Sequence, residues 1–175
     1  MAEAPEIPEA KDPFEKRVAV TIAVLAVVLA VVGNKGDNAK TDAIIKTNEA
    51  ANQWAFFQAK GIKGSIASAE EDILTLLAPS QGAPAEIWKK AESLRSKTEE
   101  YKSEQAAIKA HAEAAQEDAE LGSKINDRCD QASLALQIAI VIASVSILAS
   151  SRAFWILSVV LGVVGSVIGV MAFLI

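Results

Sequence analysis

The chain has one cysteine, one histidine and one tyrosine in 175 residues. The lone cysteine, Cys129, excludes an intramolecular disulfide, so cysteine usage says nothing of redox compartment. The lone histidine, His111, cannot build a zinc site by itself. There is no glycine-rich phosphate loop, no nucleophile elbow and no His/Glu metal spacing, so neither a cofactor nor an enzymatic reaction is expected. A basic stripe is missing too. The net charge is −5, and residues 34–130 mix 13 basic residues with 17 acids. That is a solvated surface of mixed sign, and nucleic acid is excluded as a partner. The most informative absence is local. Charge is missing from Val18–Gly33, Ala132–Ala149 and Ala153–Ile175.

An unpaired charge at mid-bilayer costs roughly 2.5–3.5 kcal/mol even on lenient insertion scales, so three long uncharged apolar stretches read as transmembrane helices. The first has the basic flank of a signal peptide, Lys11, Lys16 and Arg17. Its end, Leu29-Ala-Val-Val-Gly-Asn-Lys, lacks a small-x-small cleavage site, so it is read as a retained span. The organisation expected is a disordered tail over 1–13, spans over 14–34, 131–151 and 152–175, and a soluble helical segment over 35–130. The lipid bilayer is then the first partner, and the location is a cell (inner) membrane, multi-pass.

Within the soluble segment, Gly33-Asn34-Lys35-Gly36-Asp37-Asn38 reads as a break between two helices. Asp37 or Asn38 would cap a new helix near Ala39. Its apolar face is expected to run through Ile44, Ala51, Ala55, Ile62, Ile66, Ala69, Ile73 and Leu77. The segment 78–84, with Pro79, Gly82 and Pro84, is a loop. From Ala85 onward there is no proline. Ile87, Ala91, Leu94, Thr98, Tyr101, Gln105, Ile108, Ala112, Ala115 and Ala119 then recur at alternating steps of four and three, an alanine-rich heptad seam. Two arms of similar length, about 39–77 and 85–130, joined by a short loop, should fold back as a long antiparallel, coiled-coil-like hairpin. The fold class is therefore all-α, three spans plus a hairpin. Ser150-Ser151-Arg152 can only be a tight turn, with Arg152 at the headgroups and Trp155 just inside.

Two groups of residues are candidates for contact. In the last span Gly165 and Gly169 form a GxxxG, and Ser158, Gly162 and Ser166 form a second line of small residues. Ala135, Ala139 and Ala143 give the second span a similar line. Such lines let helix backbones approach closely, either within one chain or between copies. Gln137 is the one strongly polar side chain in the second span and reads as an interhelical hydrogen bond. In the first arm, Trp54 and Phe57 share a helical face with Gln58 nearby, and Phe56 lies off that face. Packing against the second arm near Ile108–Ala112 and contact with a partner are both open for this cluster.

Phe14-Glu15-Lys16-Arg17-Val-Ala, the Asn52–Lys60 cluster, and Leu136-Gln137-Ile138-Ala139-Ile140-Val141 followed by a turn and Trp155 resemble the bacterial domain-of-unknown-function family numbered 4337. The resemblance covers nearly the whole chain apart from residues 78–100. It implies a small bacterial membrane protein and brings no catalytic residues. The function expected is non-enzymatic: a membrane-anchored helical interaction or scaffold protein that self-associates and contacts other membrane proteins. The alternative is a subunit of a transport or channel assembly.

Overall fold

The structure, a computed structural model, describes residues 13–77 and 84–174. They form three helices: α1, Pro13–Leu77; α2, Ala85–Leu148; α3, Arg152–Phe173. The expected tail and nearly all of the expected loop at 78–84 lie outside the described residues. Each helix contains a stretch long and apolar enough to cross a membrane. The chain packs as two compact units, one built from residues 13–42 and 121–174, the other from 43–120. Both α1 and α2 contribute to each.

In the first unit three helices share a core of Leu25, Val32, Cys129, Ala132, Leu136, Ala139 and Ala172. The α3 contribution is almost without side chains: Ser158, Gly162, Gly165, Gly169 and Ala172 are its buried residues. They recur at four, three, four and three, so one narrow line faces inward. The turn between α2 and α3 is as tight as the three residues demand. The Ser151 N–H donates to the Ser146 carbonyl at 3.1 Å, and the Ser150 N–H to that of Ile147 at 3.1 Å. Ser150 has φ of 48°. This is the Schellman arrangement, with serine in the left-handed position that glycine usually takes.

In the second unit every residue of the α2 seam read from the sequence, Ile87 to Ala119, is buried or half-buried. The facing line on α1 is not the expected one. Ile44, Ile62, Ile66, Ile73 and Leu77 are all more than half exposed, and Ala51, Ala55 and Ala69 are exposed with them. The residues turned inward are Ala43, Lys46, Ala50, Gln53, Phe57, Lys60, Gly64, Ala67, Glu71 and Leu74. The reason is phase. Val18, Leu25, Val32 and Ala39 are buried at intervals of seven. Continuing that interval lands on Lys46, Gln53, Lys60, Ala67 and Leu74. A helix that keeps a 3.5-residue period cannot change faces midway.

It keeps that period because the expected break at 33–38 is absent: α1 is helical throughout. Asn38 Nδ2 donates to Asn34 Oδ1 at 2.9 Å, and Thr41 Oγ1 to the Asp37 carbonyl at 2.8 Å, so both asparagines serve the helix. Gly36 is buried against α2, where an added Cβ would lie 2.8 Å from Cys129 Cβ. Close packing there overrides the weak helix propensity of Gly-Asn-Lys-Gly.

Candidate functional site

The apolar unit is joined at its small residues. A Cβ added at Gly162 would lie 2.5 Å from Leu25 Cδ2, and one at Gly169 2.8 Å from Val32 Cγ2. At Gly165 it would lie 3.0 Å from Leu136 Cγ and 3.1 Å from the Ala132 carbonyl. The glycines of α3 thus meet α1, α2 and α1 in turn. The GxxxG line is occupied within the chain, and Ala139 and Ala143 are buried as well. Gln137, by contrast, is exposed and makes no hydrogen bond to any described residue. No interhelical bond of the kind expected for it forms among the described residues.

The ends of this unit carry aromatic and basic groups. Trp155 Nε1–H donates to Thr21 Oγ1 at 3.2 Å, and Phe14 meets the Trp155 ring edge-on at 6.3 Å. At the other end Lys35 Nζ lies 5.7 Å from the Phe173 ring centre. Cys129 is 1% exposed, and burial pushes its thiol pKa up.

The second unit has a polar seam. Lys60 pairs with Glu104 and lies 5.1 Å from the Tyr101 ring centre. Gln105 Nε2 donates to the Phe57 carbonyl at 3.0 Å, beside Gly61, where an added Cβ would meet Gln105 Nε2 at 2.7 Å. Lys46 pairs with Glu49 at 3.0 Å and Asp118 at 3.7 Å. Both lysine pKa values are raised, chiefly by hydrogen bonding, to Glu104 for Lys60 and to Glu49 for Lys46. From Lys46 opposite Asp118 to Lys60 opposite Glu104, one number rises by as much as the other falls. That register puts Trp54 level with Lys109–His111. Trp54 and Phe57 are half-buried and stack edge-on at 5.6 Å. Phe56 is 60% exposed and Gln58 is exposed.

Missed in the sequence reading were the Lys46 and Lys60 pairs, which the seven-residue interval from Val18 would have placed on the seam. A groove of about 450 Å³ flanks that seam, lined by Gly61, Gly64, Ser65, Thr98, Lys102 and Gln105 among others. A shallower one of about 560 Å³ lies on α1 alone, at Gln58, Gly61, Ile62, Ser65, Ile66 and Ala69. Among the described residues no group of His, Cys, Asp and Glu is placed to hold a metal ion.

These features define an all-helical protein with three helices of membrane-crossing length and apolarity, closed by a glycine line, and a second unit with a polar, alanine-rich seam. The chain belongs to the family described as domain of unknown function (DUF4337), whose model matches residues 14–175. No curated protein and no solved structure matches it.

Proposed function

We propose that this chain is a non-enzymatic membrane-anchored interaction or scaffold protein that crosses the inner cell membrane three times and self-associates. Residues 35–130 form an antiparallel, coiled-coil-like hairpin in water. The dimensions support the anchoring. The 22 residues of α3 span roughly 33 Å at about 1.5 Å each, against a hydrocarbon core of about 30 Å. Arg17 and Arg152 flank one end, and Lys35 and Arg128 the other.

The interaction role rests on one observation, the outer line of α1 in the second unit. Ile44, Ile62, Ile66, Ile73, Leu76 and Leu77 are exposed by 54–85% in a segment rich in charge. Contacts among the described residues of that unit leave this line exposed, while the seam beneath it buries mostly alanine. A contiguous apolar face on a charged helix marks a surface for another chain.

The test has two readouts. The protein should stay with the membrane through a carbonate wash, and full-length protein extracted in mild detergent should run as an oligomer or with a captured partner in native mass spectrometry. Release by carbonate overturns the anchoring. A monomer without partners across a range of concentrations overturns the interaction role. For orientation we favour a cytoplasmic N-terminus with the hairpin outside. Impermeant thiol labelling of Ser80→Cys in a Cys129→Ala background should succeed in intact cells, and labelling only after lysis reverses the orientation.

A further inference from the structure

The outward faces of the three apolar helices are not alike. α1 turns out Val20, Val24, Val27 and Val31, and α3 turns out Val160, Val163, Val167 and Val170, all more than half exposed. α2 turns out Leu134, Ile138 and Val141, and among them Gln137. Ser144, on the same flank, is satisfied by its own helix through the Ile140 carbonyl at 3.0 Å. Gln137 has no such partner among the described residues.

Its depth makes this costly. Leu136, one residue earlier, packs at Gly165, which lies eight residues inside the Phe173 end of α3, Arg152–Phe173. In a bilayer the Gln137 amide then sits roughly 9–12 Å from the nearer end of the span and about 20 Å from the farther one at about 1.5 Å per residue. That is beyond the reach of its side chain toward water or headgroups. An amide left unpaired in hydrocarbon is strongly disfavoured.

We propose that the outward face of α2, centred on Gln137, docks against the same face of a second copy, the two Gln137 amides bonding each other. This rests on the membrane-anchored, self-associating reading above and names its surface. Three features select a second copy as the occupant. A carboxamide offers two donors and an acceptor, so it is its own complement. The face carries no charge, so copies meet without repulsion. Its pattern is one amide ringed by Leu134, Ile138 and Val141, and a two-fold axis supplies that pattern in register by setting each residue opposite itself. Two copies sharing one bilayer orientation admit a two-fold axis only along the membrane normal, so the paired α2 helices run parallel. The glycine line of α3 takes no part, being filled by α1 and α2.

The test uses the full-length protein in lipid vesicles. In a Cys129→Ala background, Leu134→Cys and Val141→Cys should form disulfide-linked dimers on mild oxidation, and Val163→Cys on the outer face of α3 should not. Gln137→Leu should weaken association in a lipid-dilution energy-transfer titration by about three- to tenfold, as loss of one or two interhelical amide bonds implies. Gln137→Asn should keep most of it. Because Gln137 is exposed, both variants should retain the helical circular dichroism signal. A wild-type monomer overturns the self-associating reading and this surface together. An oligomer that Gln137→Leu leaves unchanged, with cross-links no stronger at 134 and 141 than at 163, overturns this surface alone.

Discussion

Gly33 and Gly36 stand three residues apart on one helix and should respond oppositely to the same change. An added Cβ at Gly33 meets nothing within 4 Å, whereas at Gly36 it meets Cys129 Cβ at 2.8 Å. Gly33→Ala should raise stability by about 0.5–1 kcal/mol through helix propensity. Gly36→Ala should lower it, because neither Cβ is the end of a flexible chain. Thermal unfolding in detergent reads both. Ser150 offers a second gain. Its φ of 48° is strained for an L-residue by about 1 kcal/mol, so Ser150→Gly should stabilise the α2–α3 turn by about that amount. Lys60 gives a pH dependence. Its pKa is raised above 10.5, first by the hydrogen bond to Glu104. A raised folded pKa means the stabilisation is complete below 10.5 and is lost as pH climbs through the higher folded value. Melting temperature should therefore fall above pH 10.5 more steeply in the parent than in Lys60→Met. Equal slopes would assign the fall to other groups.

At the scale of the element, α3 depends on having almost no inward side chains. Gly165→Leu with Gly169→Leu would place branched side chains against the Ala132 carbonyl and Val32, where even a Cβ is 3.1 and 2.8 Å away. The expected result is loss of α3 packing within the chain, with a fall in stability of at least about 1–3 kcal/mol. An unchanged melting temperature would contradict this packing. For α1 the outer isoleucines contribute little to its own unit. Ile62→Lys with Ile66→Lys should leave circular dichroism and melting of the protein, brought to the monomer in a dissociating detergent, within about 0.5 kcal/mol of the parent. Capture of partner chains should fall. Trp54 is half-buried, so Trp54→Ala should cost less than the about 3–5 kcal/mol of a fully buried ring.

The whole molecule divides its stability unevenly. Among the described residues of the second unit the only large aliphatic side chain buried below a tenth is Leu94, among alanines and Thr98. Alanine contributes little area, and the ion pairs at Lys46 and Lys60 are part-exposed, where such pairs add little. Two helices held this way are marginal alone. A peptide covering 43–120 should be weakly helical when dilute and gain helicity with concentration. Full helicity independent of concentration would show that the seam suffices.

The sequence by itself determined the helical class, the three uncharged stretches, the tight turn at 150–152 and the α2 seam from Ile87 to Ala119. Each of these is written in local composition or in a period of one helix. Only the tertiary structure decided which face of α1 meets α2. That choice is inherited from the phase of Val18, Leu25 and Val32, through a glycine-asparagine stretch whose local propensity argued for a break. A reading that followed the largest side chains therefore took Ile44–Leu77 for the core. The structure likewise decided which neighbour each glycine of α3 meets and that Gln137 points away from all of them. A line of small residues shows that something approaches closely and leaves the identity of the neighbour to the packing of the other two helices.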